Sequence, residues 1–163
     1  MVKELILMCG LPGSLKTTMA KKLLRKDYLD VTISDDALRL MLLAGEYTFG
    51  TDADELVHDG MLKLTSFLMC GGCDRIVIDE PNITRRRRSQ YIDLGKHFGR
   101  KSLIIWCVGD QDNTPRRMSN PRGFNEEHWQ RITNTMAGEF CEPTTAEADL
   151  LIKMTPQDIL AAT

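Results

Sequence analysis

Short apolar runs alternate along the chain with longer stretches in which apolar residues recur every three or four positions. Leu5 to Cys9 is uninterrupted apolar sequence ending at Gly10, as expected of a strand buried on both faces. Runs of this kind predict strands over Glu4–Cys9, Val31–Ser34, Arg75–Asp79, Ser102–Val108 and Leu150–Lys153. Between them the period becomes helical. The first helical stretch begins at the loop after the first strand and reaches about Lys26, with Met19, Ala20, Leu23 and Leu24 spaced for a core. A second covers Ala37 to Ala44 and is followed by a polar segment holding Gly45, Gly50 and Asp52. The third, Ala53 to Cys70, carries Leu56, Val57, Met61, Leu64, Phe67 and Leu68 as its buried stripe. Arg85 opens a helix toward Phe98, and Glu126 to Ile132 reads as another. Strands separated by helices argue for an α/β fold with a five-stranded parallel sheet covered by helices on both faces. No repeat or low-complexity linker interrupts the pattern, and 163 residues suit a single domain spanning 1–163.

The first strand runs into Gly10-Leu11-Pro12-Gly13-Ser14-Leu15-Lys16-Thr17, followed by Thr18 and the first helix. This is the phosphate-loop pattern G-x-x-x-x-G-K-[ST] with one substitution. In such a loop backbone N–H groups surround phosphates and the helix that follows directs its positive end at them. Lys16 is placed to reach the β- and γ-phosphates and Thr17 to hold Mg²⁺ through its hydroxyl. Leu15 stands where the second glycine belongs. A side chain there approaches the phosphate, and it is costly if the position requires positive φ. Without a phosphate, the same residues would make a glycine-containing strand-to-helix turn.

Charge and cysteine content narrow the setting. With 21 Lys and Arg against 23 Asp and Glu, the formal net charge is −2, so nucleic-acid contact must come from local patches. Five cysteines, no apolar leader and no run long enough to span a bilayer point to a reduced cytoplasmic protein that is not bound to a membrane. Cys70-Gly-Gly-Cys73 has no second ligand pair and reads as a helix end before a strand.

In open parallel sheets ligands bind at the carboxyl ends of the strands. Three of those ends carry acids: Asp35 and Asp36, Asp79 and Glu80, and Asp110 after Gly109. A carboxylate beside a phosphate loop can hold Mg²⁺ or accept a proton from an attacking hydroxyl. Asp35 is expected to be the base and Asp79 a metal-site residue, with Asp36 capping the helix that follows. Basic residues cluster at Arg85 to Arg88 and at Arg116, Arg117 and Arg122. The second group lies in a Pro-, Asn- and Gly-rich segment near 111–125, suited to a lid whose arginines close over a triphosphate. The first group is either a solvated face or a phosphate contact through one or two members. Tyr47, Phe49, Phe124 and Trp129 can stack an acceptor base or pack the lid, and the helical setting of Trp129 favours packing.

Taken together these features resemble the phage-type polynucleotide 5′-hydroxyl kinases over most of the chain. The loop and helix of that family correspond to residues 1–26, its Asp-Asp segment to Ser34-Asp35-Asp36, its Asp-x-Asn-x-Asn segment to Asp79, Asn82 and the arginines after it, and its lid to Arg117 and Arg122-Gly123. The resemblance implies a three-layer P-loop kinase fold and ATP-dependent phosphoryl transfer to a nucleic-acid hydroxyl at a 5′ end, in a phage-encoded protein of the host cytoplasm. It implies catalytic roles for Lys16, Asp35 and Arg122, and nucleotide contacts from Gly10, Pro12, Gly13, Ser14, Leu15, Lys16, Thr17, Thr18, Arg117 and Arg122. Thr17 and Asp79 would hold Mg²⁺, and Asp35, Arg39, Asn82 and Arg86 would meet the acceptor. Arg39 stands one place later than the family's arginine. Leu15, the inserted Glu80-Pro81 and the absence of a phosphatase domain depart from the family. Other acceptors are a hydroxymethyl pyrimidine base in DNA, a nucleoside or nucleotide, or another small metabolite. A second class is a nucleotide-binding module without transfer, and oligomerisation is compatible with either.

Overall fold

The computed structural model describes residues 2–109 and 113–162. Among these the strands are β1 (Glu4–Cys9), β2 (Asp30–Ser34), β3 (Arg75–Asp79), β4 (Lys101–Cys107) and β5 (Leu150–Met154). The helices are α1 (Lys16–Lys22), α2 (Asp35–Leu42), α3 (Thr51–Cys70), α4 (Arg85–His97), α5 (Thr114–Met118), α6 (Glu126–Glu139) and α7 (Pro156–Ala161). The five strands form one parallel sheet in the order β2-β3-β1-β4-β5. This is the α/β architecture with a five-stranded parallel sheet expected from the strand and helix pattern, in agreement with the three-layer fold that the family resemblance implied, and no described helix is long and apolar enough to cross a membrane.

Strand alternation divides the core. From β1, Leu5, Leu7 and Cys9 point to one face, where they meet Val57 and Met61 of α3 and Tyr91 and Ile92 of α4. Ile6 and Met8 point to the other and meet Met19 and Ala20 of α1 and Ile159 of α7. Both faces of β1 are thus dry, which accounts for its unbroken apolar sequence. The central strand and its loop are held from every side.

Several boundaries and one stripe differ from the sequence pattern. Helix α1 stops at Lys22 because Asp30 takes hydrogen bonds from the Arg25 backbone N–H and guanidinium and turns the chain. Leu23 still packs on the α1 face, whereas Leu24 is exposed. On α3 the sheet-facing row is Val57, Met61, Thr65 and Met69, with Leu64 and Leu68 half-buried beside it. Leu56 and Phe67 are 51% and 70% exposed. Apolar residues surround α3, so composition marked two possible stripes and packing chose between them. Helix α2 begins two residues early, at Asp35, because Ser34 Oγ accepts from the Ala37 N–H as its cap. The short helices α5 and α7 were not expected. Helix α7 starts with a reciprocal cap between Thr155 and Asp158.

Candidate active site

The phosphate loop leaves the middle of the sheet between β1 and α1, and its backbone has the conformation the pattern requires. Gly10 and Gly13 adopt φ of 148° and 79°. A Cβ on Gly10 would lie 2.4 Å from the Cys107 carbonyl oxygen, and one on Gly13 would lie 2.4 Å from that of Asn113. Both positions therefore require glycine for space as well as dihedral. Leu15 lies in the left-handed region, φ 66° and ψ 21°, directly before α1. Its side chain is half-buried against the Ile6, Met8 and Met19 cluster, and that packing offsets part of the backbone cost. The substitution changes the residue and keeps the turn.

Lys16 Nζ donates to the Leu11 carbonyl at 2.9 Å, lying back across its own loop. Ser14 is fully buried within the loop. Asp79, at the end of β3 and 4% exposed, stands near the Thr17 hydroxyl. Burial raises the Asp79 carboxyl above its ordinary range, against the pull of Thr17 and Lys16. A buried carboxylate beside a hydroxyl at the mouth of a phosphate loop, both lining one cavity, fits Mg²⁺, which binds through one or two protein oxygens and otherwise through phosphate and water.

Two cavities meet at the carboxyl end of the sheet. The first, about 300 Å³, is lined by Pro12 to Thr18, Asp79 and the lid arginines. The second, about 440 Å³, is lined by Arg39, Val57, His58, Asn82, Arg87 and α6. Asp35, Phe49, Glu80, Pro81 and Met136 line both. Asp35 thus stands in the shared wall. Withdrawal from water raises its carboxyl well above the usual range, and the neighbouring Asp36, Glu80 and Asp79 add to this. Its Oδ1 accepts from the Asp36 N–H at 2.8 Å. Asp36 is not the cap expected of it, since Ser34 fills that role. It accepts from the Tyr47 hydroxyl and pairs with Arg122 Nη2 at 3.6 Å.

The described part of the lid, from residue 113 onward, folds over the loop, whereas Asp110 and the start of the lid at 111–112 lie outside the described residues. Arg116, grouped with the lid arginines but assigned no role of its own, donates from Nε to the Gly13 carbonyl at 2.8 Å and ties lid to loop. Arg117 lies 3.7 Å over the Trp129 ring, and Arg122 lies 5.4 Å over that of Tyr47. Both line the first cavity. Trp129 is 2% exposed and donates to the Pro121 carbonyl at 2.8 Å, so it packs the lid. Tyr47, Phe49 and Phe124 join it in one aromatic cluster.

The residues assigned to the acceptor separate. Arg39 is buried, donates to the Thr48 carbonyl, pairs with Asp54 and lines the second cavity. Asn82 is 1% exposed with φ 48°, and its Nδ2 donates to the Met8 carbonyl at 2.9 Å, which anchors the turn to β1. Arg86 is exposed and lines neither cavity. In the arginine run it is Arg87 that reaches the second cavity. Arg88, fully buried, clamps Glu147 and the carbonyls of Asn82 and Cys141. The register of α4 decides this division, and four identical letters conceal it. His58 and Glu80 are further cavity residues that sequence reasoning did not select. Glu80 was visible as one of the strand-end acids and as part of the Glu80-Pro81 intrusion, and a histidine inside a long helix carries no signal.

Comparison with known proteins places this geometry. The family model of the AAA domain, AAA_33, matches residues 5–137. No curated protein sequence matches significantly. Among solved structures, Chaetomium thermophilum Kti12 in complex with ADP-AlF3 superposes with a TM-score of 0.71 at 17% identity, covering 97% of this chain and 94% of that one. The Mycobacterium tuberculosis APS kinase CysC, in complex with AMPPNP and APS, gives 0.67 at 21% identity, with 95% and 89% covered. A fungal RNA kinase gives 0.63 at 14% identity over 98% of this chain and 41% of its own. At these identities the likeness is one of fold. Because the family match spans the phosphate loop, the acidic strand ends and the lid, the chain belongs to the AAA domain family AAA_33, and its fold is that of the P-loop kinases it superposes on.

Proposed function

We propose that the protein is an ATP- and Mg²⁺-dependent kinase that phosphorylates a nucleic-acid hydroxyl, with the 5′-hydroxyl end as its acceptor. The observation that carries this reading is Asp35 in the wall between the phosphate-loop cavity and the second cavity. ATP in the first and an acceptor in the second would bring γ-phosphate and hydroxyl together at that carboxylate. The acceptor oxygen attacks the γ-phosphorus, the bond from that phosphorus to the bridging oxygen breaks, ADP leaves, and Asp35 takes the hydroxyl proton. Lys16 and Arg122 neutralise charge on the transferring group, and Arg117 closes the lid beside it. Thr17 and Asp79 would hold Mg²⁺, whose charge, when it is bound, screens the β- and γ-phosphate oxygens. The raised Asp35 carboxyl suits a base, because a proton acceptor works best when its pKa approaches the working pH.

Leu15 is the ground for a second reading, a binding module without transfer. Its left-handed backbone keeps the loop in working shape, which favours the kinase. The test is transfer of labelled γ-phosphate, with Mg²⁺, to two DNAs: an oligonucleotide with a free 5′ hydroxyl, and a 5′-blocked duplex containing hydroxymethyl pyrimidines. Label on the first, abolished by Lys16→Ala, is expected. Label on the second alone moves the acceptor to a base, and label on neither with ATP still bound points to a small metabolite or to the binding module.

A further inference from the structure

Among the described residues, buried side-chain atoms without a hydrogen-bond partner concentrate around the two cavities. Two of them belong to the turn that departs from the kinase pattern. Glu80 is 3% exposed, and its Oε2 accepts from the Tyr91 hydroxyl at 2.7 Å, which fixes the carboxylate. Its Oε1 has no hydrogen bond and is met only by the longer ion pairs to His58 Nδ1 at 3.6 Å and Arg87 Nη1 at 3.8 Å. Asn82 Oδ1 is likewise unpartnered. Its amide orientation is settled, because Nδ2 faces two carbonyls, those of Met8 and Glu80. Two fixed acceptors of hydrogen bonds therefore belong to one cavity lining. Leaving such atoms buried and unsatisfied is costly, so they mark a place where a ligand donor belongs.

The same cavity has apolar walls from Phe49, Pro81, Ile132 and Met136, and about 440 Å³ of space. That volume suits a nucleoside-sized ligand and is far too small for a duplex. The charges in its interior are largely matched, Arg39 pairing with Asp54 at 2.8 Å and Arg87 standing 3.8 Å from Glu80, whereas Arg131, with 71% of its side chain exposed, stands toward solvent. A flat, uncharged group with N–H donors matches the volume, the apolar walls and the two acceptors.

Resting on the kinase reading above, we infer that the second cavity takes a single nucleobase of the acceptor and reads it through N–H groups donated to Glu80 Oε1 and Asn82 Oδ1. The acceptor base enters from a free strand end or after leaving its stack. Glu80 is then a specificity-determining residue, and its neighbour Asp35 receives the sugar hydroxyl attached to that base.

The test compares two single-stranded oligonucleotides that share a 5′-terminal hydroxyl, one with its terminal base and one abasic at that sugar. Binding to the wild-type protein is measured by titration, and phosphoryl transfer is followed in parallel. The base is expected to tighten binding about tenfold or more. In Glu80→Gln the side-chain oxygen keeps the Tyr91 hydrogen bond and the amide N–H₂ takes the place of Oε1, so the preference should disappear. Thermal melting checks that this variant folds. Ile132→Trp fills the cavity without touching Glu80 and should also remove the preference. Equal affinity of the wild type for the two probes, measurable or nil, overturns the base pocket, as does a preference that survives both variants. Equal transfer to both probes rejects the pocket and leaves the kinase standing. Base-dependent binding without transfer does the reverse.

Discussion

At Leu15 a side chain occupies backbone space that glycine normally takes, and two opposing quantities meet there. The left-handed conformation costs a non-glycine residue about 1–2 kcal/mol. Burial of the side chain against Ile6, Met8 and Met19 recovers part of that. Leu15→Ala keeps the strain and loses the packing, so it should be less stable than Leu15→Gly by about 1 kcal/mol, as read from urea unfolding midpoints. The reverse order would show that the turn is unstrained. Asp35 presents the opposite balance between stability and function. Its folded pKa is raised, so the folded chain holds this proton more tightly than the unfolded chain does. The stability this gives is fully present below the unfolded value of about 3.9 and is lost as pH rises through the folded value. Asp35→Asn should therefore melt higher than wild type at pH 8, with the gap closing toward pH 4. If Asp35 is the base, the same variant should lower turnover by about 10²–10⁴-fold while leaving ATP binding intact. Unchanged turnover would remove it from the chemistry. Both residues were singled out from sequence. Glu80 and His58 were not, since their importance comes from burial beside a cavity.

The elements show how one motif can serve several purposes. Helix α4 begins with four arginines, and its register sends Arg88 inward, Arg87 to the second cavity, and Arg85 and Arg86 to solvent. Arg88 joins α4 to the segment before β5 through Glu147, itself 5% exposed. Burial pushes the Glu147 carboxyl up, but the Arg88 hydrogen bonds and the Thr144 N–H more than offset it, and the net shift is downward. The stability from Glu147 is thus present above its unfolded pKa and is lost as pH falls through the lower folded value. Arg88→Met should destabilise the protein by about 3–5 kcal/mol in urea titration at neutral pH, because it leaves a buried carboxylate unpaired. That deficit should shrink in acid, where Glu147 is protonated. A neutral-pH loss under about 1 kcal/mol would mean that Glu147 finds water instead. The strands were legible because dry strands leave unbroken apolar runs. The stripe of α3 and the ends of α1 and α2 were not, because they depend on which neighbour covers a face and which side chain supplies a cap.

For the molecule as a whole, the sheet order places β1 between β3 and β4 and gathers three strand ends around one loop. Ligand at the phosphate loop should couple to global stability. ATP with Mg²⁺ at 100 times its Kd is expected to stabilise the fold by about 2.7 kcal/mol. In a chain of this size that is a rise in Tm of about 5–10 °C. Lys16→Ala should lose most of the shift, and an equal shift in that variant would place the nucleotide elsewhere. The lid, joined to the loop through Arg116 and Gly13 and to α2 through Arg122 and Asp36, should share in this stabilisation. The sequence by itself determined the α/β class, the parallel sheet, the phosphate loop and the acids at the strand ends, because periodicity and short motifs are local properties of a chain. Only the tertiary structure decided that Asp35 and Glu80 share a wall, that Asn82 is anchored to β1, and that Arg88 rather than Arg86 turns inward. Those facts depend on contacts between residues far apart in the chain, and packing chooses among faces that the sequence leaves nearly equal.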